Sequence, residues 1–186
     1  MKKVLILGTG GTISCTARQK EGRKPVYSLE ETLRFVPRLK KVCRLESDTP
    51  IREGGKPVYV DSTNMQPEYM AQVANRIYKA YKKEGVDGVV VLGGTDTMEE
   101  SGADLTFLLA NKKIPVVLTG SMKPIDARNT DAKKNLLDAA RFAAEGPPGT
   151  YLVFNGRVIS AGRAKKIHPA YVDAFRSINI PELGRY

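Results

Sequence analysis

The sequence is poor in residues that build covalent or metal frameworks. It holds two cysteines, Cys15 and Cys43, and a single histidine, His168. Two cysteines make neither a disulfide framework nor a metal cluster, so the expectation is a pair of thiols kept reduced in a reducing compartment, with no bound metal. His168 adjoins Pro169 and is expected at the surface or in packing rather than as a catalytic base. No stretch approaches the ~18 consecutive apolar residues of a membrane helix. Met1-Lys2-Lys3 leads into the short apolar run Val4-Leu5-Ile6-Leu7, which stops at glycines without a small-residue cleavage site, unlike a signal peptide. Internal repeats and low-complexity segments are also missing. These absences point to a cytoplasmic protein without a membrane partner.

What is present is a chain of 186 residues with a net charge of +10. That length suits one domain and buries roughly 70% of the surface the unfolded chain exposes. The basic residues are scattered, as in Lys40-Lys41, Lys82-Lys83, Lys112-Lys113 and Lys133-Lys134, and aromatic side chains do not interleave with them. A stacking platform for nucleic acid needs that interleaving. The expectation is therefore a solvated basic surface, with a field that would also favour an anionic small substrate.

Short apolar runs end in polar, glycine-bearing turns and alternate with segments of helical periodicity. Val4–Leu7 runs into Gly8-Thr9-Gly10-Gly11-Thr12, and Val89–Leu92 into Gly93-Gly94-Thr95-Asp96-Thr97. Further strands are expected at 42–46, 58–60, 115–118 and 151–154. Helices are expected from Ser28 to about Pro37, where Ser28 and Glu31 form a capping box, and over 67–84, about 97–111 and about 130–144. This alternation predicts an α/β fold, a doubly wound and mostly parallel sheet with helices on both faces. Residues 1–186 are read as a single domain, with 14–28 a mobile lid loop and 178–186 a linker-like tail. The stretch 156–186 reads as polar and irregular.

In such folds ligands bind beyond the carboxyl ends of the strands. Two strand-end loops, each with a threonine just after a glycine pair, suggest one site built from both. A threonine hydroxyl needs a neighbouring base to become a nucleophile. Asp96 beside Thr95, with a lysine nearby, could complete that set, and backbone N–H groups at the glycines could stabilise an oxyanion. The inventory suits acyl transfer. Neither glycine loop fits a P-loop, and Ile13 occupies the last glycine position of the dinucleotide pattern.

Thr9-Gly10-Gly11-Thr12-Ile13, together with Gly94-Thr95-Asp96-Thr97-Met98-Glu99-Glu100, resembles the two signature motifs of the bacterial-type L-asparaginase family. Ser121-Met122-Lys123-Pro124 and Asp61-Ser62-Thr63-Asn64-Met65 resemble two further elements of that family, in matching order and spacing. The resemblance implies an amidohydrolase that converts L-asparagine to L-aspartate and ammonia through an acyl-enzyme, with glutamine the poorer substrate. It implies Thr12 as the nucleophile assisted by Tyr27, and Thr95, Asp96 and Lys166 as the second catalytic group, with Lys165 the alternative lysine. Ser62 and Thr63 would meet the substrate α-carboxylate, Thr63 standing where the family usually has glutamine. Asp96 would meet its α-ammonium, the backbone around Ser121 would face the amide, the N–H groups of Gly11 and Thr95 would fit the oxyanion role, and Gly94 would also bind substrate.

The resemblance implies no metal and no organic cofactor. It implies a homo-oligomer, dimer or tetramer, since a C-terminal domain from a neighbouring protomer helps close each site in the family. The chain is then either a one-domain version or a fragment whose site is open on one side. Two other readings remain open: an asparaginase-like component of a tRNA-dependent amidotransferase, and a non-catalytic amino-acid-binding module.

Overall fold

The computed structural model describes residues 1–19 and 24–186. The first apolar run forms strand β1 (Lys3–Gly8), which leads through a 3₁₀ turn at Thr12–Ser14 to helix α1 (Leu29–Arg34) and strand β2 (Arg44–Asp48). A small ribbon, β3 (Arg52–Glu53) and β4 (Lys56–Pro57), precedes α2 (Pro67–Lys79), β5 (Gly88–Leu92), α3 (Met98–Leu108), β6 (Pro115–Thr119), α4 (Ala132–Glu145) and β7 (Gly149–Phe154). The last part of the chain adds β8 (Arg157–Ser160), β9 (Ala164–Lys166), β10 (Phe175–Ser177) and β11 (Gly184–Arg185).

The main sheet has seven strands in the order β11-β8-β7-β6-β5-β1-β2. Strands β2, β1, β5, β6 and β7 run parallel, while at one edge β8 pairs antiparallel with β7 and β11 antiparallel with β8. Both faces are covered, as a parallel sheet requires. Alternate residues of each strand face opposite ways. Leu5, Leu7, Val89, Val91, Val116 and Leu118 join one core with Met70, Val73 and Ile77 of α2 and Leu105 of α3. Val4, Ile6, Val90, Leu92 and Val117 join the other core, with Leu29 of α1 and Leu136, Ala139 and Ala140 of α4. The doubly wound, mostly parallel architecture expected from the pattern is the observed one.

Ser28 caps α1 as expected: its Oγ accepts from the Glu31 N–H at 3.1 Å, and the Ser28 N–H donates to Glu31 Oε2 at 2.8 Å. Pro67 opens α2, and the chain continues past Lys79 through a π-turn at Ala80–Glu84. Of two tyrosines on this stretch, Tyr81 packs on the core, whereas Tyr78 is exposed with the Lys82 ammonium over its ring.

Several expectations need correction. Residues 58–60 form no strand of the main sheet. The Val60 N–H bonds only once to the end of β1, donating to the Thr9 carbonyl at 2.8 Å, and Val58 to Ile51. The segment 156–186 is not irregular. Asn155 and Gly156 turn with φ of 48° and 75°, the left-handed pair that a two-residue hairpin demands, and send β8 back along β7. Gly184–Arg185, within the expected tail, pairs with β8, and Arg157 holds Glu182 beside it.

Candidate active site

Strand β1 leads on to β2 at one side and its neighbour β5 to β6 at the other, so the connections leaving this adjacent pair diverge. Its carboxyl end is a topological switch point, where the diverging connections leave a crevice. Gly8, the last residue of β1, is paired with Leu92, the last of β5. The two threonine loops therefore start side by side. The Thr9 N–H and hydroxyl both donate to the Leu92 carbonyl at 2.9 Å, tying the first loop to the end of β5. The Gly93 N–H donates to the Thr119 carbonyl at 3.1 Å, so β6 supports the second loop.

The loops then touch main chain to main chain. Gly11 has φ of 86°, and a Cβ there would lie 2.4 Å from the Gly94 nitrogen. A Cβ on Gly94 would lie 2.5 Å from Ser62 Oγ. Only glycines permit this conformation and this approach. The result is three chain segments meeting at one point, the third being the 3₁₀ turn Ser62–Asn64. Thr97 fastens that turn by donating from Oγ1 to the Ser62 carbonyl at 2.8 Å.

Around this junction lies an open cleft of about 210 Å³. Gly11 and Thr12 line it from the first loop, Gly94, Thr95 and Asp96 from the second, and Asp61 and Ser62 from the third. Pro25 closes part of its wall. Ser62 and Thr95 are buried, while the Asp96 side chain is 60% exposed and so reaches into the opening.

Lys166 approaches from β9, whose strand sits beside α3. Its Nζ donates to Thr95 Oγ1 at 2.8 Å and to Asp96 Oδ1 at 2.6 Å, and its side chain is only 11% exposed. Glu99, in the first turn of α3, accepts from the Lys166 N–H at 2.6 Å and pairs with the Lys165 ammonium. The structure thus brings Lys166 to Thr95 and directs Lys165 to Glu99, outward. The Glu99 hydrogen bond and ion pair hold Lys165 charged, its pKa raised above the usual lysine value.

Three other expected residues stand differently. Thr63 donates from Oγ1 to Asp61 Oδ1 at 3.0 Å and is not among the residues lining the cleft. Ser121 is buried in the loop after β6, with its hydroxyl directed to the Lys123 carbonyl, and also lies outside the lining. Tyr27 packs edge-to-face on Phe35, with centroids 5.2 Å apart, and its hydroxyl donates to Asp126 Oδ2 at 3.1 Å. The lid expectation for 14–28 falls partly on residues 20–23, which lie outside the described residues. Ser14 anchors the far end: its carbonyl accepts from the N–H groups of Val26 and Tyr27, both at 2.9 Å.

Sequence reasoning missed Asp61 and Pro25 as lining residues, Glu99 as the support of Lys166, and Asp126. Asp61 and Glu99 adjoin residues already singled out, so proximity was the available signal. Asp126 offered none, because its partners Thr16, Ala17 and Tyr27 are 99 to 110 positions away. Burial pushes the Asp126 carboxyl up, but hydrogen bonds from Thr16, Ala17 and Tyr27 outweigh it and hold the pKa below the ordinary range. His168 lies at the surface against Tyr171, as expected. Among the described residues no helix is long and apolar enough to cross a membrane.

Known proteins resemble this chain across nearly its whole length. The family model "Asparaginase, N-terminal" matches residues 3–186. An L-asparaginase of Thermococcus kodakarensis is 38% identical over 182 residues, covering 98% of this chain and 53% of that protein. A component of the glutamyl-tRNA(Gln) amidotransferase of Metallosphaera sedula is 33% identical over 196 residues, covering 98% of this chain and 42% of that protein. Among solved structures, the thermostable L-asparaginase from T. kodakarensis superposes with a TM-score of 0.85 at 34% identity, over 99% of this chain and 53% of that one. A probable cytoplasmic L-asparaginase from Campylobacter jejuni gives 0.83 at 31%, over 100% of this chain and 54% of that one. The chain spans about half the length of these relatives. With its paired threonine loops at the sheet's switch point and a family model matched across nearly its whole length, the chain belongs to the asparaginase family.

Proposed function

We propose that this chain carries the amide-hydrolysing site of an L-asparaginase, acting on L-asparagine and less well on glutamine. The observation that supports the reading best is the contact of Lys166 with both Thr95 and Asp96, on the cleft that Thr12 also lines. Thr12 Oγ forms a bond to the side-chain amide carbon, and its proton passes to the leaving nitrogen. The C–N bond breaks and ammonia departs, leaving an ester on Thr12. Water then attacks the ester, its proton returns to the Thr12 oxygen, and aspartate is released. N–H groups of Gly11 and Thr95 are suited to the oxyanion of each tetrahedral intermediate. The Thr95–Lys166 pair is suited to carry the protons, with Asp96 fixing the amine. Ser62 would take the substrate α-carboxylate, and the exposed Asp96 carboxylate its α-ammonium. Thr63 fits this site less directly, since its hydroxyl is turned to Asp61, and the backbone around Ser121 would face the amide. With its proton directed to Asp126, the Tyr27 hydroxyl is suited to assist Thr12 as an acceptor.

The open outer side of the cleft suits closure by a second copy of the protein, in a homo-oligomer, and the Campylobacter neighbour favours a cytoplasmic setting. Purified protein should release ammonia from asparagine, and Thr12→Ala or Thr95→Ala should each lower turnover by about 10² or more, the usual scale for losing a nucleophile or proton carrier. A fully active Thr95→Ala protein would overturn the mechanism. The amidotransferase relative and the +10 charge favour one second reading, a component of a tRNA-dependent amidotransferase. Steeply salt-dependent tRNA binding would support it, and its absence would remove it.

A further inference from the structure

Asp126 is a loop carboxylate that the proposed chemistry does not use, yet it gathers three donors from one stretch of chain. Thr16 Oγ1 donates to Oδ2 at 2.6 Å, the Ala17 N–H to Oδ1 at 2.8 Å, and the Tyr27 hydroxyl to Oδ2 at 3.1 Å. Thr16 and Ala17 follow the turn that carries Thr12, whereas Tyr27 follows Pro25, a wall of the cleft. One carboxylate therefore joins both ends of the segment to the loop between β6 and α4. An ionised carboxylate accepts such bonds about twice as strongly as a neutral oxygen. Three donors also match its lone pairs better than an amide could, since an amide has one accepting oxygen.

We propose that Asp126 is a positioning residue for substrate binding: a clasp that holds both ends of the segment between Thr16 and Tyr27 against the sheet, and with them Pro25 against the cleft. Its effect on substrate rests on the asparaginase reading above, but the clasp itself does not. Loss of the carboxylate should loosen the wall at Pro25 while leaving Thr95, Asp96 and Lys166 in place. The consequence for catalysis is then chiefly a rise in KM, with a smaller fall in kcat because Tyr27 loses its partner as well.

The test compares wild type with Asp126→Ala, Asp126→Asn and Thr16→Val in two measurements. Limited trypsin digestion reads cleavage after Arg18 by mass spectrometry. Asp126→Ala should be cut at least tenfold faster than wild type, Asp126→Asn and Thr16→Val by intermediate factors, and Thr16→Val should add nothing in the Asp126→Ala background. For ammonia release, Asp126→Ala should raise the KM for asparagine tenfold or more and lower kcat by a smaller factor, and Asp126→Asn should restore part of both losses. Cleavage of Asp126→Ala at the wild-type rate would overturn the clasp whatever the activity. Faster cleavage with an unchanged KM would overturn its role in binding. If wild type releases no ammonia from asparagine, the asparaginase reading fails and the digestion pattern alone still decides the clasp. Should Asp126→Ala not fold, Asp126→Asn and Thr16→Val carry the same comparison.

Discussion

Lys166 Nζ lies 2.8 Å from Thr95 Oγ1, although 71 positions separate the two residues in sequence. The contact depends on β9 running beside α3, and on Glu99 gripping the Lys166 backbone from the first turn of that helix. Its neighbour Lys165 has the same chemistry but points to Glu99, with its side chain 54% exposed.

That difference predicts opposite outcomes for two adjacent lysines. Lys166→Met should reduce ammonia release from asparagine by about 10² to 10⁴, the ordinary scale for a lost proton carrier. Lys165→Met should retain activity within about threefold, since an exposed pair contributes on the order of 0–1 kcal/mol. Steady-state assays of the two variants decide it. Equal losses would mean that the Thr95 contact has no special role.

Gly11→Ala should damage folding and activity together. A non-glycine residue at that positive φ is strained by about 1–3 kcal/mol, and the added methyl would lie 2.4 Å from the Gly94 nitrogen. For a chain of this size each kcal/mol lowers Tm by roughly 2–4 °C. Thermal unfolding should show a fall of several degrees, and ammonia release should be lost at temperatures where the variant is still folded. An unshifted Tm would show that the loops can part without cost.

Acid should weaken the sheet edge at Asp173. Hydrogen bonds from Arg157 and Arg176 hold its carboxyl far below the usual carboxylate value. A group whose folded pKa is depressed stabilises the fold above its unfolded pKa of about 3.9, and that contribution fades as pH falls towards the folded value. Asp173→Asn should therefore lower Tm at pH 7, and the gap from wild type should narrow between about pH 4 and pH 2. The size is limited by solvent, since the Asp173 side chain is 38% exposed. A gap independent of pH would assign the loss to geometry rather than charge.

The fold was largely legible because its signals are local. Apolar runs stopping at glycines marked β1 and β5, and the Ser28–Glu31 spacing marked the start of α1. The β7–β8 hairpin was equally legible, in the Asn155-Gly156 pair between two apolar runs, but polar neighbours masked it. Val58–Val60 misled because a β-branched pattern describes burial and not pairing: the segment approaches β1 through a single hydrogen bond. In the site, the glycine–threonine loops stood out, whereas the Lys166 assignment came from family resemblance. Asp126 could not be read at all. A carboxylate in a loop looks like any solvated residue until the fold supplies its donors.

The meeting of Gly11, Gly94 and Ser62 has one more implication. With only main chain between Gly11 and Gly94, the spacing of the two threonine loops follows the ladder linking β1 to β5, and any side chain added at the junction would force them apart. Variation in what the protein accepts must then arise at the rim, through Pro25, Asp61 and Asp96. On the asparaginase reading, the scaffold would set the chemistry and the margin would choose among amides.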